Sequence, residues 1–253
     1  MSGIRYVAIG DSFSEGVGDE LADGTVRGWA DLVAQGWAQS VGEPVEYANL
    51  AIRGKLAWPI VQEQLEPALA LRPTHLSFNG GGNDMLRPRT TIASIADAFS
   101  TVLRRCDEEG VRLILLSGAN PSAHLPMSSL IQKRGDELST AVVGRISDRP
   151  DVIQALNWPD AELSQIGYWS ADRLHMNARG HHRVAARVLA ALGQDVPEGW
   201  WSLAEGDTAG RPRGLSYYRE HVGPWVKRRL TGRSSGDGRP PKFGEWTQIT
   251  PAR

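Results

Sequence analysis

Ser12 follows Gly10 and Asp11 at the end of a short apolar run. A serine at the first turn after a parallel strand can open the next helical turn, where backbone N–H groups favour developing negative charge. That position suits a nucleophile. Gly10 allows a tight turn, and Gly16 and Gly18 are expected to keep the mouth of the site open. Further on, Asn79-Gly80-Gly81-Gly82-Asn83-Asp84 sets three glycines behind another apolar run. Backbone without side chains can approach a ligand closely, and the Asn83 amide is the kind of neutral, fixed donor that an oxyanion needs. Late in the chain, Asp172-Arg173-Leu174-His175 pairs a carboxylate with an imidazole three residues on. A hydrolytic serine needs such a base, and the base needs an orienting group. Each fragment alone also fits a plain turn or an exposed loop. Their combination is more specific than any part.

Other chemistries fit less well. The stretch from Gly10 to Gly18 is glycine-rich and follows a strand, but it lacks the Gly-Lys-Ser/Thr of a phosphate loop. It also fails the G-x-G-x-x-G spacing of a dinucleotide site, since position 21 is Leu21. His181 and His182 have no carboxylate at metal-binding spacing and read as packing or surface residues. The single cysteine, Cys106, excludes an intramolecular disulfide and any zinc site built on paired cysteines.

These residues need a scaffold. Strand-like runs are expected at residues 4–9, 45–50, 74–78, 111–116 and 152–156. Helix-length segments lie between and after them, at 29–41, 59–71, 92–109, 129–147 and 178–192. Alternating strands and helices predict a parallel sheet covered on both faces. Sites in such sheets form at the carboxyl ends of the strands. Ser12, the residues after Leu50 and the glycine run all fall there.

The order and spacing of four blocks resemble the SGNH hydrolases, the GDSL esterase/lipase family. The blocks are Ala8-Ile9-Gly10-Asp11-Ser12, Asn49-Leu50-Ala51 with Gly54, Gly81-Gly82-Asn83-Asp84, and Asp172-Arg173-Leu174-His175. The resemblance spans residues 4–193. It implies a three-layer αβα sandwich, flavodoxin-like, with a central parallel sheet of about five strands. It also implies that Ser12 is the nucleophile, His175 its general base and Asp172 the group that orients His175. The oxyanion hole would be the N–H groups of Ser12 and Gly54 and the side-chain amide of Asn83. Gly54 rests only on its place after the second strand. Phe13 stands where the family motif has leucine, one apolar residue for another. No metal or cofactor is implied.

The resemblance leads to a serine esterase, lipase or thioesterase that acts on a small or acyl-chain ester through an acyl-enzyme. Two alternatives stand beside it. One is an acyltransferase on the same fold. The other is a non-catalytic module that binds a polyanion or membrane. Arg53, Lys55, Arg87 and Arg89 could face an anionic substrate. Met85, Leu86, Pro126, Met127 and Trp169 could line an acyl pocket.

The chain has 253 residues, 41% hydrophobic and 23% charged, a composition that suits a globular protein. It shows no secretory leader and no long apolar span, so a cytoplasmic protein without membrane insertion is expected. The net charge of −1 hides an asymmetry. Residues 1–210 hold 18 basic and 26 acidic residues, and residues 211–253 hold 10 and 3. The expected division is a hydrolase domain at 1–193 and a basic, tryptophan-containing extension at 194–253. The extension carries Trp200, Trp201, Trp225, Phe243 and Trp246. It is expected to pack on the body, with one helix at 216–230 and a loop at 234–241, and not to bind nucleic acid. The cluster Lys227-Arg228-Arg229 is the feature that favours a polyanion instead.

Overall fold

A computed structural model describes residues 3–87, 89–202 and 236–252. The helix expected at 216–230, with Trp225 and the Lys227-Arg228-Arg229 cluster, lies outside them.

Strand β1 (Arg5–Ile9) is the hub of the sheet. It pairs in parallel with β2 (Val45–Asn49) on one side and β3 (His75–Phe78) on the other. Beyond β3 come β4 (Arg112–Ser117) and β5 (Ile153–Leu156), also parallel, so that five parallel strands form in the expected places. A sixth strand, β6 (Phe243–Ile249), pairs antiparallel with β2 and completes the order β5-β4-β3-β1-β2-β6. This strand was not foreseen. Its residues are largely half-exposed and lie behind a glycine- and proline-rich stretch, so they carry no apolar run.

The alternation of side chains along β1 builds the three layers. Tyr6 and Ala8 point to one face, with Trp29, Trp37, Val184 and Leu189. That face is covered by α2 (Trp29–Val41) and α8 (Ala178–Ala191). Val7 and Ile9 point to the other face, with Ile60, Phe78, Phe99 and Val102. There lie α6 (Ile92–Glu109) and α7 (Ser128–Ile146). The expected helix at 59–71 is a compound element. It runs as α3 (Ala57–Ile60), a π-helical turn (Val61–Leu65) and α4 (Glu66–Ala70). Pro67 lacks an N–H and crowds the carbonyl four residues back, and the wider turn before it absorbs that conflict.

Register sets the strand ends level. Ile9 pairs with Phe78, and Ala8 with Asn49. The chain therefore leaves β1, β2 and β3 at one edge of the sheet, where the candidate residues gather.

Candidate active site

Ser12 opens the four-residue helix α1 (Ser12–Glu15), and Asp11 caps it by accepting the Phe13 N–H at 3.1 Å. Gly10 makes the turn at φ +155°, where a Cβ would come within 2.5 Å of Ser14 Oγ. The Gln64 amide holds the same residue from below. Gly10 N–H donates to Gln64 Oε1 at 2.8 Å, and Gln64 Nε2 donates to Gly10 O at 3.0 Å.

The turn is braced from the other side by Glu15, which is buried. Its carboxylate accepts from the Arg53 N–H at 2.6 Å and from the Arg53 guanidinium at 2.8 and 2.5 Å. Lys242, just before β6, donates to Glu15 O at 2.8 Å, Val26 O at 3.0 Å and Asp31 Oδ2 at 2.6 Å. Asn49 Nδ2 donates to Ser14 O at 2.9 Å and so ties the end of β2 to α1. Sequence reading missed Glu15, Gln64 and Lys242. Their partners lie 38 to 227 residues away, and no local pattern marks such contacts.

His175 Nε2 lies 3.1 Å from Ser12 Oγ, and His175 Nδ1 lies 2.6 Å from Asp172 Oδ2. The other carboxylate oxygen, Asp172 Oδ1, accepts the N–H groups of Leu174 and His175 at 2.9 and 3.0 Å and the Ser170 hydroxyl at 2.7 Å. The three-residue spacing thus closes a tight turn, with Arg173 at φ +60°. Burial pushes the Asp172 carboxyl up, but its hydrogen bonds and its attraction to His175 prevail and hold it well below its ordinary range. Asp172 therefore stays ionised.

Asn83 sits on the short helix α5 (Gly82–Met85), after Gly81 at φ +90°. Its Nδ2 donates to Asp11 Oδ2 at 3.1 Å and to Lys55 O at 3.0 Å. The second contact brings the residue after Gly54 against Asn83. Gly54 turns at φ +78°, but it does not line the cleft that Ser12, Asn83 and His175 share. Asp11 is 4% exposed, and burial raises its carboxyl to about 6. The Phe13 N–H and the attraction of His175 oppose that rise, and Asp84 adds to it.

Gly16 and Gly18 do not hold the mouth open, contrary to expectation. A Cβ on Gly16 would strike Gly28, and one on Gly18 would meet Met176 O at 2.0 Å. They let loops close onto each other. His181 is a packing residue, as read. It is fully buried, accepts the Trp29 N–H at 3.1 Å, and burial lowers it to about 4.

Arg53 and Lys55 turn their charge to Glu15 and Glu63. Neither they nor Arg87 and Arg89 line the cleft. Met85, Leu86 and Trp169 do line it, whereas Pro126 and Met127 do not, and Met127 is exposed. Among the described residues no cluster could hold a metal ion, and no helix is long and apolar enough to cross a membrane.

A half-buried serine–imidazole–carboxylate chain beside an amide donor is equipped for acyl transfer. The GDSL-like lipase/acylhydrolase family matches residues 8–183. Among solved structures, TesA is 20% identical, with a TM-score of 0.61 over 74% of this chain and 97% of its own. A lipase/acylhydrolase from Enterococcus faecalis is 19% identical, with a TM-score of 0.62 over 78% of this chain and 100% of its own. A catalytic mutant of Axe2, an acetylxylan esterase from Geobacillus stearothermophilus, is 15% identical, with a TM-score of 0.60 over 81% and 98%. These likenesses bear on the fold. Among curated proteins none matches the chain.

Proposed function

The chain belongs to the GDSL-like lipase/acylhydrolase family, and from that premise we propose that this ester hydrolase works through an acyl-enzyme on Ser12. The observation that carries the reading is the unbroken chain from Ser12 Oγ through His175 to Asp172, at 3.1 and 2.6 Å. His175 takes the Ser12 proton as Oγ attacks the ester carbonyl. It then gives that proton to the departing alcohol. Asp172 acts through His175, fixing the tautomer with the proton on Nδ1 and stabilising the imidazolium. Water, activated by the same imidazole, releases the acid.

The oxyanion takes its hydrogen bonds from the Ser12 N–H and from Asn83 Nδ2, which line the cleft; Gly54 lies off it and is left out of this reading. Both Asn83 amide hydrogens are engaged, one on Asp11 and one on Lys55 O. One of these bonds gives way to the oxyanion as charge develops, which favours the transition state over the ground state. The substrate is a small-molecule ester.

The same reading divides the chain into a hydrolase domain at 1–193 and an extension at 194–253 that leans on it. Two observations support the division. The family match ends at residue 183, and Lys242 reaches Glu15 O beneath the nucleophile.

The experiment is a chromogenic ester assay on wild type and Ser12→Ala, with a phosphonate label on the wild type. Ser12→Ala is expected to lose turnover by a factor of about 10⁴ or more while keeping its fold, and the label to sit on Ser12. Wild-type turnover in well-folded Ser12→Ala protein overturns the mechanism.

A further inference from the structure

The cleft that begins at Ser12 and His175 continues inward, past the carboxyl ends of β3 and β4, to α6 and α7. Its free volume is about 1060 Å³, open mouth included. The inner wall is apolar, with Phe99, Leu138, Val142, Leu156 and Trp158. Two polar side chains on it each spend a hydrogen bond on the protein itself. Asn79 Nδ2 donates to Leu116 O at 3.1 Å, and Ser117 Oγ accepts the Trp158 N–H at 2.9 Å. Helix α7 contributes one hydroxyl, from Ser139. A sugar pushed into such a space would leave hydroxyls unpaired, at a cost of roughly 1–3 kcal/mol each. A hydrocarbon chain has no such cost.

The direction of the channel assigns it to one half of the ester. His175 arrives from the α2/α8 face, where Trp169 and Met176 are packed. The same cleft touches both of them and extends from there to the opposite face, where Phe99, Val142 and Leu138 are packed. The alcohol takes its proton from His175 and so departs on the His175 side. The acyl half is left pointing toward α6 and α7.

Trp158 is a rigid part of this wall. Its N–H is held by Ser117, and its Nε1–H donates to Asp136 Oδ1 at 2.8 Å. Its ring lies so close on α7 that a Cβ at Gly135 would come 1.9 Å from Cζ2. Gly135 leaves the space, the backbone N–H bond to Ser117 anchors the residue, and the Nε1–H bond to Asp136 keeps the indole in it.

We propose that the acyl chain of the substrate enters this channel and that Trp158 sets how much chain it accepts. The preferred substrates are then esters of flexible, unbranched acyl groups longer than acetyl. This inference rests on the serine-hydrolase reading above and adds the substrate class to it.

The test is kcat/KM of the full chain on p-nitrophenyl acetate, butyrate, octanoate and palmitate. Each methylene buried adds about fourfold, the equivalent of about 0.8 kcal/mol, until the channel is full. Octanoate is expected to exceed acetate by about tenfold or more. Trp158→Ala is expected to raise the palmitate-to-octanoate ratio by about tenfold. Leu138→Phe, at a half-exposed position that tolerates bulk, is expected to lower the octanoate-to-acetate ratio by a similar factor. Ratios do not depend on the fraction of folded enzyme. A profile highest on acetate, or variants that change every ester equally, overturns the channel. If that turnover still vanishes in Ser12→Ala, the serine reading survives the loss. Wild type inert on all four esters overturns both.

Discussion

Asp11 links the cap of Ser12 to the Asn83 amide, and its environment exposes a trade-off. Burial raises its carboxyl from an ordinary 3.8 to about 6, so folding favours the protonated form. The penalty is absent below about pH 4, grows as pH climbs to about 6, and is complete above that. Asp11→Asn removes a cost of at most about 3 kcal/mol at pH 8. The expected result is a Tm gain at pH 8 that vanishes at pH 4, seen by thermal melts at both. Turnover should fall in the same variant, because an amide facing Asn83 Nδ2 accepts its hydrogen bond poorly. A Tm gain of equal size at both pH values would show that the carboxylate charge is not the cause. Asn83→Ala should lower kcat by roughly 10²–10³ with little change in KM, as the proposed role of its amide on the oxyanion and not on the ground-state carbonyl requires. A change confined to KM would assign the donor elsewhere. The serine, imidazole and carboxylate were legible as residue types at telling spacings. The positive φ of Gly10 and the raised carboxyl of Asp11 were not, because both arise from burial and register.

At the scale of elements, the sheet was readable because its five parallel strands are short apolar runs punctuated by glycine and proline. What escaped was whatever depends on distant partners. The strand β6 is recognised by pairing with β2, not by its own pattern. Lys242 is recognised by the three oxygens it meets: Glu15 O, Val26 O and Asp31 Oδ2. One ammonium joins the end of α1 to the loop before α2 and to α2 itself. Lys242 and Asp31 side chains are only 13% and 17% exposed, so the pair is shielded from solvent. Lys242→Met leaves two carbonyls and a carboxylate without this donor. The expected cost is about 2–3 kcal/mol of stability, measured by urea unfolding. Lys242→Arg should recover part of it. A loss within about 0.5 kcal/mol would mean that water replaces the ammonium without penalty.

For the whole molecule, the question is whether the extension belongs to the fold. The sequence supplied the charge argument: a body rich in acidic residues and a tail rich in basic ones. It also supplied the aromatic argument, which holds only in part among the described residues. Trp200 packs edge-on to His182 at 5.0 Å, Phe243 packs on Tyr47 at 5.9 Å, and Trp246 lies against the α6/α7 side of the sheet. Trp201 is 41% exposed. Pairing with β6 also covers the outer edge of β2, which would otherwise offer free N–H and C=O groups to other chains. Truncation after Gly193 removes that cover, the Lys242 bonds and the packing of Phe243 and Trp246 together. Partial burial of these two large aromatics is worth about 1–3 kcal/mol, a sizeable share of the marginal stability of a domain. The truncated chain should therefore melt well below the full chain and aggregate through the bared β2 edge, as read by thermal scanning and light scattering. Limited proteolysis of the full chain should spare 242–249. A truncated chain that stays monomeric, with unchanged Tm and ester turnover, would make the extension an independent arm and would return Lys227-Arg228-Arg229 to consideration as a polyanion contact.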